Sequence, residues 1–237
     1  MIKASERVFV ALDNMTKEEI FSFLSVCYPG ITHIKIGLEV FNKFGPSIVE
    51  EIYKLYPIDI FLDLKLHDIP NTVKKAIASL EGLPIKFLTV HLSGGREMLK
   101  QAMIAKDKYL PGCKLLGVSI LTSLDEADLK EIWSVTDMNQ AFINLFKLAS
   151  DCKIDGVVCS AKELELVKSF ENSLITVCPG IRFSDEIALG NTGDQKRVLS
   201  PKEAFQNGAS YLVMGRSLTK ALDLKERIQN LQNLPIN

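Results

Sequence analysis

Short apolar runs rich in β-branched residues alternate with amphipathic stretches along the chain. Runs of this length and composition are typical of buried strands. Eight of them occur, at residues 7–12, 31–36, 59–64, 85–90, 114–119, 154–158, 174–177 and 210–213. The stretches between them carry apolar residues at helical spacing and predict helices. These helices lie at 16–27, 46–55, 71–81, 95–106, 161–170, 201–207 and 217–231, and a long insertion at 125–149 has the same character.

This alternation predicts the fold class. Strands separated by helices pair in parallel through right-handed crossovers, which gives either a doubly wound sheet or a closed barrel. Eight strands in 237 residues favour the barrel. Because no Pro- or Ser-rich linker divides the chain, we expect a single (β/α)8 TIM barrel, one catalytic domain over residues 1–237.

Two helix starts have the spacing of a capping box, in which two residues three apart bond reciprocally through side chain and backbone. Thr16 precedes Glu19 with this spacing, and Ser160 precedes Glu163. We therefore expect helices to begin directly after Thr16 and Ser160.

Composition argues against several classes of protein. A net charge of −1 and a pI of 6.3 give no basic footprint for nucleic acid. No apolar stretch has the length of a membrane span, and the first residues lack the pattern of a secretory signal, so no membrane partner is expected. Five cysteines without CxxC spacing indicate reduced, mostly buried thiols in a cytoplasmic protein. The three histidines (His33, His67 and His91) are too scattered to predict a zinc site.

Polar residues lie repeatedly at the ends of the predicted strands or directly after them. In a (β/α)8 enzyme the working residues gather at the carboxyl ends of the strands and in the loops after them. Each polar residue alone is typical of a helix cap or a surface ion pair, but in a barrel all of them converge on one mouth. They are Asp13, Lys35, Asp63, Lys65, His91 and Thr122. We therefore expect the functional site at this mouth.

The segment DLKLHDIPNT (63–72) concentrates charge where a strand runs out. Asp63 and Lys65 are two apart, so in a strand both side chains face one way, and Asp68 follows shortly after. An ammonium flanked by carboxylates stays protonated, which suits proton donation to a carbanion or neutralisation of developing charge. The structural alternative is an ordinary Asp63–Lys65 ion pair, with Asp68 capping a helix that has Pro70 in its first turn.

The loops after the last two strands predict a phosphate site. The chain reads PGIR at 179–182, GDQKR at 193–197 and MGRS at 214–217. Loops seven and eight of such barrels, with a helix N-terminus, usually bind phosphate, and Arg216 could do so through paired hydrogen bonds. The alternative is a turn glycine, Gly215, beside a solvated arginine.

Several motifs together resemble the bacterial orotidine 5′-phosphate decarboxylases. They occur in that family's order, and FLDLKLHDIPNT is very specific. They are VALD (10–13), KIG (35–37), FLDLKLHDIPNT (61–72), VHLSGG (90–95), LTS (121–123), DGVVCSA (155–161), PGIR (179–182), GDQKR (193–197) and GR (215–216). The resemblance implies decarboxylation of orotidine 5′-phosphate to uridine 5′-phosphate (UMP), the last step of de novo pyrimidine biosynthesis, without cofactor or metal.

The resemblance also implies roles for individual residues. Lys65 would protonate C6 of the pyrimidine. The family's alternating charge array would consist of Lys35, Asp63, Lys65 and Asp68. Asp68, Ile69 and Thr72 would reach into a partner's site, which implies a homodimer with shared active sites. The remaining substrate contacts would be Asp13 and Lys35 at the ribose hydroxyls, Asp63 near the substrate carboxylate, Thr122 and Gln195 at the pyrimidine or phosphate, and Arg182, Gly215 and Arg216 completing the nucleotide pocket.

One loop departs from the family pattern. The segment between Arg182 and Gln195 is longer than in many bacterial members and contains an apolar stretch at 187–189. We expect residues 183–194 to form a lid, and we carry over no roles within this segment.

Three other classes of protein share part of this motif pattern. A metal-dependent sugar-phosphate decarboxylase, such as 3-keto-gulonate phosphate decarboxylase, also carries Asp-x-Lys-x-x-Asp. It has an acid in place of Lys35, where a lysine would repel the metal. A phosphosugar isomerase-type barrel gives no reason for the IPNT segment. A catalytically silent phosphate-binding or scaffold barrel usually loses charged members of the array, and all four are present here.

Overall fold

Eight parallel strands form the centre of the protein in a computed structural model that describes residues 3–170, 174–190 and 198–236. They are β1 (Val8–Ala11), β2 (His33–Gly37), β3 (Asp59–Leu66), β4 (Phe87–His91), β5 (Lys114–Val118), β6 (Gly156–Val158), β7 (Ile175–Cys178) and β8 (Tyr211–Met214). The strands pair in chain order, and β1 also pairs with β8, so the sheet closes into a barrel. The predicted (β/α)8 barrel is confirmed.

Helices surround the strands. They are α1 (Lys17–Cys27), α2 (Leu38–Phe44), α3 (Ser47–Leu55), α4 (Pro70–Ala78), α5 (Gly95–Tyr109), α6 (Glu126–Trp133), α7 (Met138–Asp151), α8 (Leu164–Lys168), α9 (Ser184–Ala188), α10 (Pro201–Gln206), α11 (Arg216–Thr219) and α12 (Leu224–Asn233). Short 3₁₀ turns, Ala4–Arg7 and Leu92–Gly94, precede β1 and α5. Across the described parts of the chain, no helix combines the length and apolarity needed to cross a bilayer.

An aromatic layer fills the inside of the barrel below its polar mouth. The ring of Phe9 lies 5.2 Å from that of Phe61 and 5.0 Å from that of Phe87. Phe61 and Phe87 stand two residues before Asp63 and Thr89, and residues two apart in a strand share a face. The polar side chains therefore lie directly above a packed aromatic floor, at the carboxyl ends of the strands.

A second apolar layer lies between the strands and the helices. Ile34 and Ile36 of β2 are fully buried in the same core cluster as Ile20 and Leu24 of α1. The five cysteines also belong to this cluster, and all are buried and free. The predicted buried, unpaired thiols are confirmed.

Of the two predicted capping boxes, one forms. Thr16 Oγ1 accepts the N–H of Glu19 at 3.2 Å, and Glu19 accepts the N–H of Thr16 at 2.8 Å. The box at Ser160 was a wrong prediction, because the Ser160 hydroxyl accepts the N–H of Lys162 at 3.2 Å and so holds a tight turn. Helix α8 begins only at Leu164 and is five residues long.

Other helix boundaries also differ from the prediction. The insertion at 125–149 contains two helices, since Ser134 adopts a left-handed φ of 57° and ends α6. The predicted helix at 217–231 is likewise divided into α11 and α12. The short helices α2 and α9 were not predicted, because two turns or fewer leave too little periodicity to recognise.

Candidate active site

Four predicted site residues meet at the carboxyl ends of β1, β2 and β3. Lys35 Nζ lies 2.8 Å from Asp13 Oδ2 and 3.6 Å from Asp63 Oδ2. Lys65 Nζ donates to the same Asp63 oxygen at 2.7 Å. The charges therefore alternate along a chain of contacts, Asp13–Lys35–Asp63–Lys65. Neighbouring parallel strands end at the same edge, which is why residues distant in sequence come together here.

Asp63 lies at the centre of this chain and is 8 % exposed. Burial alone raises the pKa of its carboxyl group. The ammonium groups of Lys35 and Lys65, with hydrogen bonds from Lys65 and Thr89, outweigh that effect and bring the pKa below its ordinary value. Asp63 is therefore an anion at neutral pH. Buried charges are costly for folding, so their concentration at a barrel mouth indicates function rather than stability.

Lys65 occupies an irregular point in β3. Its φ is 49°, and the pairing of β3 with β4 shifts register between Leu62 and Leu66. A left-handed backbone at a non-glycine residue costs of order 1–3 kcal/mol and marks functional sites. The backbone between Asp63 and Lys65 is therefore not the regular strand that the predicted alternation assumed. Their side chains nevertheless meet.

Thr89 of β4 bonds to both Asp63 and Lys65. Nothing in the sequence singled it out, because a β-branched residue is ordinary in a strand. Its Oγ1 accepts the backbone N–H of Lys65 at 2.8 Å and donates to Asp63 Oδ1 at 2.9 Å. The side chain is fully buried.

Gly37, at the end of β2, belongs to the KIG motif but was not predicted to be a site residue. A Cβ atom added there would lie 2.3 Å from Asp13 Oδ1 and 2.9 Å from Lys35 Nζ. These distances are far below van der Waals contact. A glycine at this position therefore makes room for the Asp13–Lys35 pair.

Two adjoining cavities open beside the charged residues. One, of about 240 Å³, is lined by Lys35, Asp63, Lys65 and Thr122, with apolar walls. The other, of about 460 Å³, is lined by Asp13, Lys35, Gly180, Arg182, Gly215 and Arg216. Lys35, Pro179 and Val213 border both. An elongated ligand could therefore place a flat ring near Lys65 and an anionic end near Arg216.

A third cavity, of about 630 Å³, lies beyond Arg182 and Arg216 and is bordered by α9 and Arg227. Arg227 bonds Asp185 and Glu186 at 2.9 and 3.3 Å and its own helix's Asp223 at 2.7 Å. Its guanidinium also lies 4.7 Å from the centre of the Phe183 ring. Arg227 thus fastens the first part of the predicted lid, which includes the unpredicted helix α9, to α12.

Three predicted residues stand apart from the charged chain. Asp68, Ile69 and Thr72 are exposed at the start of α4. Asp68 does not cap α4, whose N-cap position is Ile69 with Pro70 next, but accepts the N–H of Ile69 at 2.7 Å. Within the described residues Asp68 has no ion-pair partner within 4.0 Å, so a single chain does not complete the four-member array. Gln195 lies outside the described residues.

His91, at the end of β4, lies within electrostatic reach of Lys65. Its ring centre is 5.2 Å from that of His67. Burial lowers the pKa of His91, and the charges of His67 and Lys65 lower it further, although Asp63 opposes them. His91 is therefore neutral at pH 7 and adds no charge beside Lys65. In the described ranges no three His, Cys, Asp or Glu side chains are grouped to hold a metal ion.

The chain is similar to known proteins along nearly its whole length. Residues 6–231 match the model of the orotidine 5′-phosphate decarboxylase / HUMPS family. The orotidine 5′-phosphate decarboxylase of Ehrlichia chaffeensis is 41% identical over 226 residues, 94% of each chain. That of Carboxydothermus hydrogenoformans is 39% identical over 222 residues, covering 92% of this chain and 90% of the relative.

Solved structures show the same likeness. The orotidine 5′-phosphate decarboxylase of Lactobacillus acidophilus has a TM-score of 0.79 and 34% identity, covering 96% of this chain and 99% of its own. An uncharacterized conserved protein of Geobacillus kaustophilus gives a TM-score of 0.80 at 33% identity, covering 95% of this chain and 100% of its own. With its charged residues gathered at the barrel mouth and a match along nearly its full length, the chain belongs to the orotidine 5′-phosphate decarboxylase / HUMPS family.

Proposed function

We propose that this protein is a carboxy-lyase that converts orotidine 5′-phosphate to UMP, the last step of de novo pyrimidine biosynthesis. The observation that carries the proposal is the contact chain Asp13–Lys35–Asp63–Lys65 at the junction of two cavities that together have room for one nucleotide. Relatives of about 40% identity that bear this enzyme's name support it. Five free, buried thiols support a cytoplasmic location.

Lys65 is the proton donor in this proposal. The bond from C6 to the carboxylate breaks, CO2 leaves, and the electron pair remains on C6. The Lys65 ammonium stabilises that developing carbanion and then transfers its proton to C6. The Asp63 carboxylate accepts a hydrogen bond from the Lys65 ammonium at 2.7 Å and so orients it. Asp63, placed near the substrate carboxylate, would also repel it in the ground state, a smaller effect.

The remaining side chains bind the nucleotide. Asp13 and Lys35, paired at 2.8 Å, hold the ribose hydroxyls. Thr122, in the cavity with Lys65, contacts the pyrimidine, and Gln195 the pyrimidine or phosphate. The phosphate lies by Arg182, Gly215 and Arg216, which line one cavity together. Binding energy gained at the distant phosphate can stabilise the transition state by closing the predicted lid at 183–194. Arg227 holds the first part of this segment at Asp185, and residues 191–194 lie outside the described residues.

A homodimer with shared sites forms part of the proposal. Asp68, Ile69 and Thr72 contribute to the partner's site rather than to their own. Two observations support this: Asp68 lacks an ion-pair partner among the described residues, and the apolar Ile69 is 67% exposed beside the active-site mouth. A partner surface would cover Ile69 and bring a second carboxylate toward Lys65.

The activity is tested by adding orotidine 5′-phosphate to purified protein in excess EDTA. We expect the ultraviolet absorbance change of orotate loss at the same rate with and without chelator, because the Lys35 ammonium, 2.8 Å from Asp13 and 3.6 Å from Asp63, would repel a divalent cation from these carboxylates. Activity that requires a metal, or turnover of a 3-keto sugar-phosphate acid instead, would support the metal-dependent decarboxylase. Absence of both would favour a silent phosphate-binding barrel.

Gly37→Ala tests the ribose subsite. The new methyl group would displace the Asp13 carboxylate and the Lys35 ammonium, so we expect kcat/KM to fall by roughly tenfold or more. Steady-state kinetics and isothermal titration with UMP measure the effect. Gly117→Ala is the control, since its methyl group would meet only the Leu92 side chain at close range. It should lower thermal stability and leave KM unchanged. Unaltered UMP affinity in Gly37→Ala would contradict the ribose assignment.

A further inference from the structure

Thr89 bonds to the two central groups of the site from an adjacent strand. Its hydroxyl oxygen accepts the backbone N–H of Lys65 at 2.8 Å, and its proton goes to Asp63 Oδ1 at 2.9 Å. The direction of these bonds is fixed, because an amide can only donate and an ionised carboxylate can only accept. One buried hydroxyl thus ties the backbone of one catalytic residue to the side chain of the other.

The hydroxyl also fixes the orientation of the Asp63 carboxylate. Oδ1 is committed to Thr89, so Oδ2 faces the ammonium groups, at 2.7 Å from Lys65 and 3.6 Å from Lys35. Without the Thr89 donor, the carboxylate could rotate and share its oxygens differently between the two lysines. The place of the Lys65 ammonium in the cavity that it lines depends on that choice.

The hydroxyl further supports the irregular backbone. At the register shift between Leu62 and Leu66, Lys65 has a left-handed φ of 49° and its N–H bonds to the Thr89 side chain. A buried N–H without a partner is costly, and a strained conformation persists only where its surroundings determine it. The Thr89 hydroxyl satisfies this N–H and holds the bulge from which the Lys65 side chain projects.

We infer that Thr89 is a positioning residue for the reaction, whose hydroxyl sets the orientation of the Asp63 carboxylate and the place of the Lys65 ammonium. The inference rests on the proposed function as far as turnover is concerned. Thr89 does not line either cavity bordered by Lys35, and so it acts through its two partners rather than by touching substrate.

Three variants test the role in the full-length protein. Thr89→Val keeps the shape and removes the hydroxyl, and Thr89→Ser keeps the hydroxyl. Thr176→Val is the matched control, because Thr176 is also a buried strand threonine, its hydroxyl bonded at 3.2 Å to the Gly208 carbonyl. It lies toward the amino end of β7, away from the charged chain. Each variant is assayed per folded molecule, with the folded fraction taken from thermal unfolding.

We expect Thr89→Val to lower kcat by roughly 10- to 100-fold with KM changed less than about threefold, as for a misplaced catalytic group. Thr89→Ser should retain kcat within about threefold, and Thr176→Val should lower stability without altering kcat. A Thr89→Val enzyme with wild-type kcat would overturn the inference, as would a Thr89→Ser enzyme as slow as Thr89→Val.

A readout independent of turnover separates this inference from the proposed activity. Amide hydrogen exchange at Lys65, followed by NMR, should be slow in the wild type and in Thr89→Ser and fast in Thr89→Val. Unchanged protection in Thr89→Val would overturn the inference whatever the enzyme's activity. If the three proteins showed the expected exchange rates but the wild type did not decarboxylate orotidine 5′-phosphate, the proposed function would fail while the positioning role of the hydroxyl stood.

Discussion

Replacement of Lys65 by alanine is expected to abolish decarboxylation while leaving the affinity for UMP nearly unchanged. The ammonium is needed only once the C6 carbanion develops, so its loss removes transition-state stabilisation and the proton source together. General acid catalysis and charge stabilisation each contribute orders of magnitude, so we expect kcat to fall by roughly 10³-fold or more. UMP already carries a hydrogen at C6 and needs no donor. Isothermal titration with UMP and the ultraviolet assay measure the two quantities.

Two further variants make the result specific. Lys65→Arg keeps a positive charge but offers a group that does not deprotonate in proteins, so it should bind UMP and remain nearly inactive. Lys17→Ala removes a lysine from an exterior ion pair with Glu51 and should change neither quantity. If Lys65→Ala retained near-full turnover, another group would have to supply the proton, and the assignment of Lys65 would be wrong.

The fold was predictable because buried strands leave a strong local signal. The predicted run at 59–64 corresponds to Asp59–Leu66, and the run at 114–119 corresponds to Lys114–Val118. The wrong predictions lie where a local hydrogen bond or backbone conformation competes with the helix, which composition does not reveal. Ser160 uses its hydroxyl to hold a turn instead of capping a helix. Ser134 leaves the helical region and divides an otherwise continuous amphipathic stretch.

The charged residues of the site were predictable for a related reason. Each lies in or directly after a recognisable strand, so the barrel topology alone brings Asp13, Lys35 and Asp63 to one mouth. Thr89 and Gly37 were not recognised, because their importance lies in a neighbour on another strand or loop. The bulge at Lys65 depends on the register between β3 and β4, which strand composition does not specify. Predicting these features requires the coordinates of both strands.

The predicted role of Asp68 depends on a second chain. Among the described residues of one subunit, its carboxylate accepts only a backbone bond from Ile69, and the carboxylate partner of Lys65 is Asp63 alone. If the partner's Asp68 completes the array, Lys65 and Asp68 of one site belong to different subunits. Mixing two inactive variants can distinguish this arrangement from a self-contained site. In a dimer of one chain of each variant, both mutations can fall in the same site and leave the other site intact.

Asp68→Asn and Lys65→Ala are each expected to be nearly inactive alone, and co-refolding them in equal amounts should restore activity. Half of the randomly formed dimers are mixed, and each contains one site with neither mutation, so roughly one quarter of wild-type activity should return. The matched control pairs Lys65→Ala with Asp63→Asn. These residues contact each other at 2.7 Å within one chain, so every mixed dimer has two defective sites and no activity should return. Equal recovery in both mixtures, or recovery in neither, would contradict a site shared between subunits through Asp68.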